Sequence, residues 1–585
     1  MRARWSVWMP VALAGLVERA TAANTFEMAW SSEVYGPDGP WQAVEVRIGS
    51  DNTLVNLYPG GTWGSNILSP SVCNNASLGD VCYAELAGLY DPSTSATSNF
   101  GNITITSSVD FSGGVLNMGG SEPETGIDNW NLSSGAMFPI GINMNLHSSS
   151  WATLPDGSTY PLTVGSLGLG APGTVNQTFT EAPGTPAFNA TLLPGYLSTE
   201  APSNKILSSN SYGLHIGSVY PKVPPSLYFG GFDQNRVLGT VSTQEGNPGA
   251  PGAIDLLDIS LSVNSGVSPW SFKSLDGLLA SGNSSIQSQL PVAIDALAPY
   301  ISLPKSTCDA IAANLPVTYQ AKYGLYFWNT SDPQYERIVT SPSSLGFTFR
   351  ASESSQNFTI YVPFNQLNLT LTAPLTTTST SYFPCKAEEN TYYQLGRAFL
   401  QSAFVGVNWN AYNGSAAWWL AQAPGPNIPS QSTILAIGNT DTSISSSTVD
   451  WASTWQDTWT VLTQTSGTPS SSATASSSSA TNSASNNSAT SGLSTGAKAG
   501  IGVAAGIVGL LAIIAGVLFF VRRRPATAVP IAEAPPATES QPPEMQSYAP
   551  PPGHATYYDP PKAPGHSDGP SEIYSPVQRY ELQSS

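Results

Sequence analysis

The sequence predicts an all-β domain. Three observations carry that expectation: short alternating apolar runs, turn chemistry at close spacing between them, and few stretches with a helical period. Val44-Glu45-Val46-Arg47-Ile48 and Phe358-Thr359-Ile360-Tyr361-Val362 alternate as half-buried strands do. Pro37-Asp38-Gly39, Pro155-Asp156-Gly157 and Tyr412-Asn413-Gly414 supply the turns. One helical stretch is legible, Ser306 to Leu315, with a Ser cap before Cys308, Ile311 and Ala312.

Composition narrows the class. The chain has 585 residues, of which 10% are charged, with 53 Gly and 48 Pro. That charge fraction is well below the quarter usual for globular proteins. The formal net charge is −18, and residues 23–465 alone hold 11 Lys/Arg against 30 Asp/Glu. A surface this acidic cannot displace counterions from phosphates, which excludes nucleic acid as a partner of this region.

Taken in chain order, residues 1–22 read as a secretory signal. Arg2 and Arg4 form the basic start, Trp5 to Val17 the apolar stretch, and Ala20-Thr21-Ala22 the small-residue cleavage site. Residues 23–463 are the β-rich ectodomain. Its ten Asn-x-Ser/Thr sequons, at Asn75, Asn102, Asn131, Asn176, Asn189, Asn283, Asn329, Asn357, Asn368 and Asn413, mark it as a glycoprotein. Cys73 and Cys82 enclose a short loop, Cys308 and Cys385 a long one. Four cysteines allow three connectivities, of which pairing within each half is expected. In a secreted chain disulfides take precedence over metal, and with only four His present no metal or cofactor is expected.

Residues 464–498 are almost entirely Ser, Thr, Ala, Gly and Asn, a composition that buries no core and reads as an extended stalk. Ala499 to Val521 is an uncharged stretch of 23 residues followed by Arg522-Arg523-Arg524. That length spans a bilayer core, and the arginines set the C-terminal side in the cytoplasm. Residues 522–585 carry Pro pairs and five Tyr, as expected of a disordered tail able to dock to a proline-recognition module. The organisation read from the sequence is a single-pass type I protein at the plasma membrane or cell surface, N-terminus outside.

Leu290-Pro291-Val292-Ala293-Ile294-Asp295-Ala296-Leu297, running on to Leu303-Pro304, resembles the second active-site strand and loop of pepsin-like aspartic peptidases. Gly88-Leu89-Tyr90-Asp91-Pro92-Ser93-Thr94-Ser95 and Ser226-Leu227-Tyr228-Phe229-Gly230-Gly231-Phe232-Asp233 are similar to further segments of that family. So are Ser166-Leu167-Gly168 and Gln394-Leu395-Gly396, one in each half. The resemblance implies a bilobal fold, with an N-lobe over about 40–235 and a C-lobe over about 250–425. It places Asp295 at one catalytic acid. Matching strand and glycine puts Tyr58-Pro59-Gly60 where the family has Asp-Thr-Gly, so that Tyr58 stands at the first acid. A shift of one residue puts Pro59 there. Asp51, the nearest acid, falls in a turn signal before the strand.

The family's chemistry needs two carboxylates that share one proton, one activating water and the other protonating the product. Asp295 therefore reads as an orphan acid. Ala296 and Leu297 replace the hydroxyl and glycine that follow it in the family, and no Tyr-Gly-Thr/Ser-Gly flap is legible between residues 100 and 135. The departures resemble a membrane-anchored fungal branch of the family. The leading expectation is an inactive ectodomain that binds a peptide or glycan in the inter-lobe cleft. The alternatives are an active membrane-anchored aspartic endopeptidase and a surface sensor signalling through its tail.

Overall fold

The computed structural model describes residues 25–463, except 61–63, 75–80, 102, 108–117, 122, 133–135, 174, 182–183, 201–206, 352–355 and 389–391. The signal, stalk, span and tail expected from the sequence lie outside these residues. Among the described residues no helix is long and apolar enough to cross a membrane. The all-β expectation holds, since sheets dominate and the α-helices are short, the longest being Lys305–Ala312. That helix begins one residue before the expected Ser, with Pro304 at its cap and no side-chain cap bond. Ser306 Oγ instead accepts a bond from Asn283 Nδ2.

The first half is built outward from a hairpin. Strand Trp41–Ile48 buries Val44, Val46 and Ile48 while Glu45 and Arg47 face outward, which is what period-two alternation dictates. Burial of each such side chain contributes roughly 1.5–3 kcal/mol. The chain reverses through Gly49 and Asn52, both at positive φ, and returns as Thr53–Pro59. Asp51 sits exposed in that turn, accepting bonds from Thr53 and Thr94. It is a turn residue and not a displaced catalyst.

Strand Thr53–Pro59 pairs in parallel with Gly165–Leu167, which pairs antiparallel with Ser65–Leu68. Ser65–Leu68 in turn runs parallel to Ala136–His147.

The second half repeats this plan strand for strand. Ile254–Val263 pairs antiparallel with Leu290–Ile294, which runs parallel to Gln394–Leu395. Gln394–Leu395 pairs antiparallel with Ile301–Pro304, itself parallel to Cys385–Glu388. A six-stranded sheet joins the halves, in the order Phe26–Glu27, Ser226–Phe229, Ser211–His215, Ala403–Asn408, Ala417–Gln422, Leu238–Glu245. Its seam is the antiparallel pairing of Tyr212 with Val407. Trp418 and Trp419 lie in the penultimate strand and are wholly buried, as core packing requires.

Residues 425–463 form a strap that the sequence does not announce. Ile434–Ala436 pairs with Gly231–Asp233 of the first half. Further on, Thr460 N–H donates to Thr340 O and Val267 N–H donates to Leu462 O, both in the second half. Between them Trp455 and Trp459 stack at 5.1 Å, with Trp451 edge-on to both and against Tyr361. The disulfides pair as expected, Cys73 with Cys82 and Cys308 with Cys385. The second closes a separation of 77 residues, the longer constraint on the unfolded chain.

Candidate active-site centre

Strand Leu290–Ile294 is buried at Val292, Ala293 and Ile294 and delivers Asp295 to the middle of the molecule. Asp295 N–H donates to Leu395 O at 3.2 Å, so the ladder runs one bond beyond the strand. The chain then turns on the side chain, whose Oδ1 accepts Leu297 N–H at 2.9 Å. Oδ2 is buried and has no hydrogen-bond partner among the described residues. Asp295 is 3% exposed. Burial pushes its pKa up to about 6, with the Leu297 N–H and the Arg397 guanidinium pulling the other way.

The first loop reaches the same point from the other half. Pro59 pairs with Leu167 as Ile294 pairs with Leu395, and Gly60 N–H donates to Leu167 O as Asp295 N–H donates to Leu395 O. Gly60 is therefore the counterpart of Asp295. This corrects the sequence alignment, which put Tyr58 there. Two extra strand residues intervene, because a match on apolar strand and glycine cannot see where the ladder ends. The correction supplies no acid. Gly60 has φ +116°, a conformation strained for any side-chain-bearing residue. A Cβ there would lie 3.2 Å from Cβ of Ala296 and 3.5 Å from Asp295 Oδ1.

The charge that acts on Asp295 is a cation. Gly396 lies so close to the facing loop that a Cβ would meet Ala298 O at 2.2 Å, and the next residue, Arg397, is carried into the centre. Arg397 is 4% exposed. Its Nη1 donates to Ala296 O at 3.3 Å and Leu297 O at 2.6 Å, fixing the loop that follows Asp295. Its guanidinium lies 4.0 Å from the Tyr58 ring centroid and 5.1 Å from that of Trp41. Nη2 stands 3.8 Å from Asp38 Oδ1, which also accepts Trp41 Nε1–H at 2.8 Å. Tyr58 thus packs against the cation, its hydroxyl buried without a hydrogen-bond partner among the described residues.

The expected turn at Pro37-Asp38-Gly39 is stitched across to the second half. Thr372 N–H donates to Pro37 O at 2.8 Å, Thr370 N–H to Gly39 O at 3.0 Å, and Tyr382 Oη to Asp38 O at 2.5 Å. These bonds seal one side of the centre. Beside it remains a cavity of about 60 Å³, bordered by Tyr58, Asn66, His147, Tyr160, Leu297 and Arg397. It has room for a few waters. Asp295 is not among its walls. His147 donates to Asn66 Oδ1 at 3.0 Å, and burial holds its pKa down to about 4, so it is neutral there at any higher pH.

This arrangement can orient loops. Among the described residues no second carboxylate stands opposite Asp295, which is itself buried. The closest flap-like segment, Val109 to Gly114, lies outside the described residues. Arg397 and Asp38 were missed as central residues. The available signal was an arginine directly after an apolar-Gly strand, in a chain that uses few charges. Among the described residues the one metal-like grouping is Cys73, Cys82 and Glu85, and its sulfurs are joined to each other.

Of the sequons, Asn189, Asn329, Asn357 and Asn413 are exposed, and Asn131, Asn176, Asn283 and Asn368 are half-buried. Asn75 and Asn102 lie outside the described residues. Asn368 Nδ2 is engaged with Tyr335 Oη at 2.9 Å.

No family model matches the chain. No curated protein matches it either. Among solved structures, the chain is similar to the crystal structure of an aspartic proteinase from Irpex lacteus, with a TM-score of 0.39 and 14% identity over 68% of this chain and 97% of that one.

Proposed function

We propose that this chain is a single-pass cell-surface glycoprotein whose ectodomain is a bilobal pepsin-like domain without peptidase activity, serving as a binding or sensing module. The observation that carries this reading is Gly60 at the counterpart of Asp295. General acid–base hydrolysis by paired carboxylates needs both acids, and the doubled strand plan delivers one. The burial of Asp295 and the cross-half bonds at Pro37–Gly39 support the same reading, since a lytic water and an extended substrate both need access. Surface display is supported by the basic-apolar start, the Ser/Thr-rich stalk, the 23-residue apolar stretch and the three arginines after it. The Pro/Tyr tail supplies a cytoplasmic docking segment.

The test is digestion of a mixed peptide library by full-length protein purified in detergent, from pH 2.5 to 7, beside Asp295→Ala and with a transition-state-analogue inhibitor of aspartic peptidases. The reading expects no inhibitable cleavage from either protein. Cleavage that the inhibitor stops and Asp295→Ala abolishes would overturn it.

A further inference from the structure

A second depression lies elsewhere among the described residues. A groove of about 680 Å³ opens between Val81 and Tyr83, on either side of Cys82, and a four-stranded sheet of the second half. The volume is in the range of small-ligand sites. Val81 and Tyr83 form one lip. On the other side Tyr323 and Phe327 lie 5.3 Å apart at 32°, both half-exposed. Tyr323 Oη donates to Leu375 O at 3.0 Å, so its ring is held in place before any ligand arrives. Thr377, Thr378 and Thr380 also border it, with Thr380 Oγ1 donating to Thr378 O at 2.9 Å.

The charge pattern is as informative. In a protein of net charge −18, none of the described residues bordering this groove carries a carboxylate. Its one charge is Lys322, whose Nζ lies 5.2 Å over the Tyr323 ring.

We infer that this groove is an oligosaccharide-binding site. Aromatic faces carry the negative side of a quadrupole and attract the C–H faces of sugar rings, while threonine hydroxyls both donate to and accept from sugar hydroxyls. An extended peptide would dock by adding to a free strand edge. One edge strand of this sheet, Leu369–Leu371, already spends Thr370 N–H on Gly39 O, and Thr372 N–H goes to Pro37 O. Lys322 distinguishes two sources of the same chemistry: it favours acidic sugars if it meets the ligand, and is indifferent to neutral ones.

The inference names a ligand for the binding role proposed above but does not depend on how Asp295 behaves. The experiment is binding of the detergent-purified full-length protein to immobilised hexasaccharides of glucose, mannose, N-acetylglucosamine and galacturonic acid. Saturable binding to at least one is expected, weakened tenfold or more by Phe327→Ala. Thr378→Arg, at an exposed position, should block the groove to the same extent with the thermal unfolding midpoint unchanged. A loss in Lys322→Ala confined to galacturonate would assign the acidic source. Absence of binding to all four sugars, binding that Thr378→Arg leaves intact, or displacement by a mixed peptide library would each overturn the inference. Asp295-dependent proteolysis would sink only the silent-domain reading.

Discussion

The bare Cα of Gly60 faces the carboxylate of Asp295, close enough that a side chain begun there would start 3.5 Å from Oδ1. In a pair of matching loops one position keeps its acid and the other keeps no side chain. Restoring the acid is opposed by the backbone, because φ at Gly60 is +116°. Gly60→Asp is expected to cost about 1–3 kcal/mol of stability and to give no peptidase activity. Chemical denaturation and the peptide-library digest check both halves of that statement. Acid-dependent cleavage by a stable Gly60→Asp protein would show that the loop is less fixed than its geometry implies.

Asp295 makes stability depend on pH. Its folded pKa of about 6 lies above the ordinary 3.8, so the folded state holds the proton more tightly than the unfolded one. The contribution is fully present below about pH 3.8 and is lost as pH rises through about 6. The rise from 3.8 to about 6 corresponds to roughly 3 kcal/mol across that window. Asp295→Asn should flatten the midpoint-versus-pH curve and be more stable than wild type near pH 7. Parallel curves for the two proteins would count against a buried, shifted carboxyl.

Arg397 holds the loop that follows Asp295. Replacing it with Met frees the carbonyls of Ala296 and Leu297 and leaves Asp38 buried beside no cation. The expected loss is about 3–5 kcal/mol, the scale for breaking a buried pair from one side. Adding Asp38→Asn to Arg397→Met should recover part of it, since the stranded charge is then gone. A double variant as unstable as the sum of the singles would place the cost in the carbonyl contacts alone.

The sequence makes the β texture, both cysteine pairs and the place of Asp295 legible, each for a physical reason. Val44 to Ile48 shows its buried face by alternation, and Asp295 is flanked by an apolar strand and Leu303-Pro304. The position of Gly60 was not legible, because it is fixed by a parallel pairing with a strand over a hundred residues away. Nor was the partnership of Arg397 with Asp38, Trp41 and Tyr58. It joins four residues spread over 359 positions, and no local period reports such a contact. The strap past residue 425 hid because its hold is mostly main-chain bonds and tryptophan packing, without strand alternation.

Glycan occupancy should follow exposure. Asn189, Asn329, Asn357 and Asn413 are open to a transferase, whereas Asn368 has its amide bonded to Tyr335. Peptide mapping of protein from a glycosylating host, after enzymatic deglycosylation in heavy-oxygen water, should label those four asparagines and leave Asn368 unlabelled. Labelling at Asn368 would mean that modification precedes the closing of its site.

The strap also sets how the domain carries load. A pull on the chain where it leaves residue 463 is met first by the bonds of Thr460 to Thr340 and of Val267 to Leu462, and by the stacked rings of Trp455 and Trp459. All of these but the strap itself belong to the second half. Further back along the line of force the strap is tied to the six-stranded sheet, where Trp419 Nε1 donates to Thr442 O and Asn408 Nδ2 to Gly438 O and Asp441 O, and then comes the pairing of Ile434–Ala436 with the first half. A pull from that end is therefore expected to peel the tryptophan segment before it reaches the six-stranded sheet and the centre around Asp295.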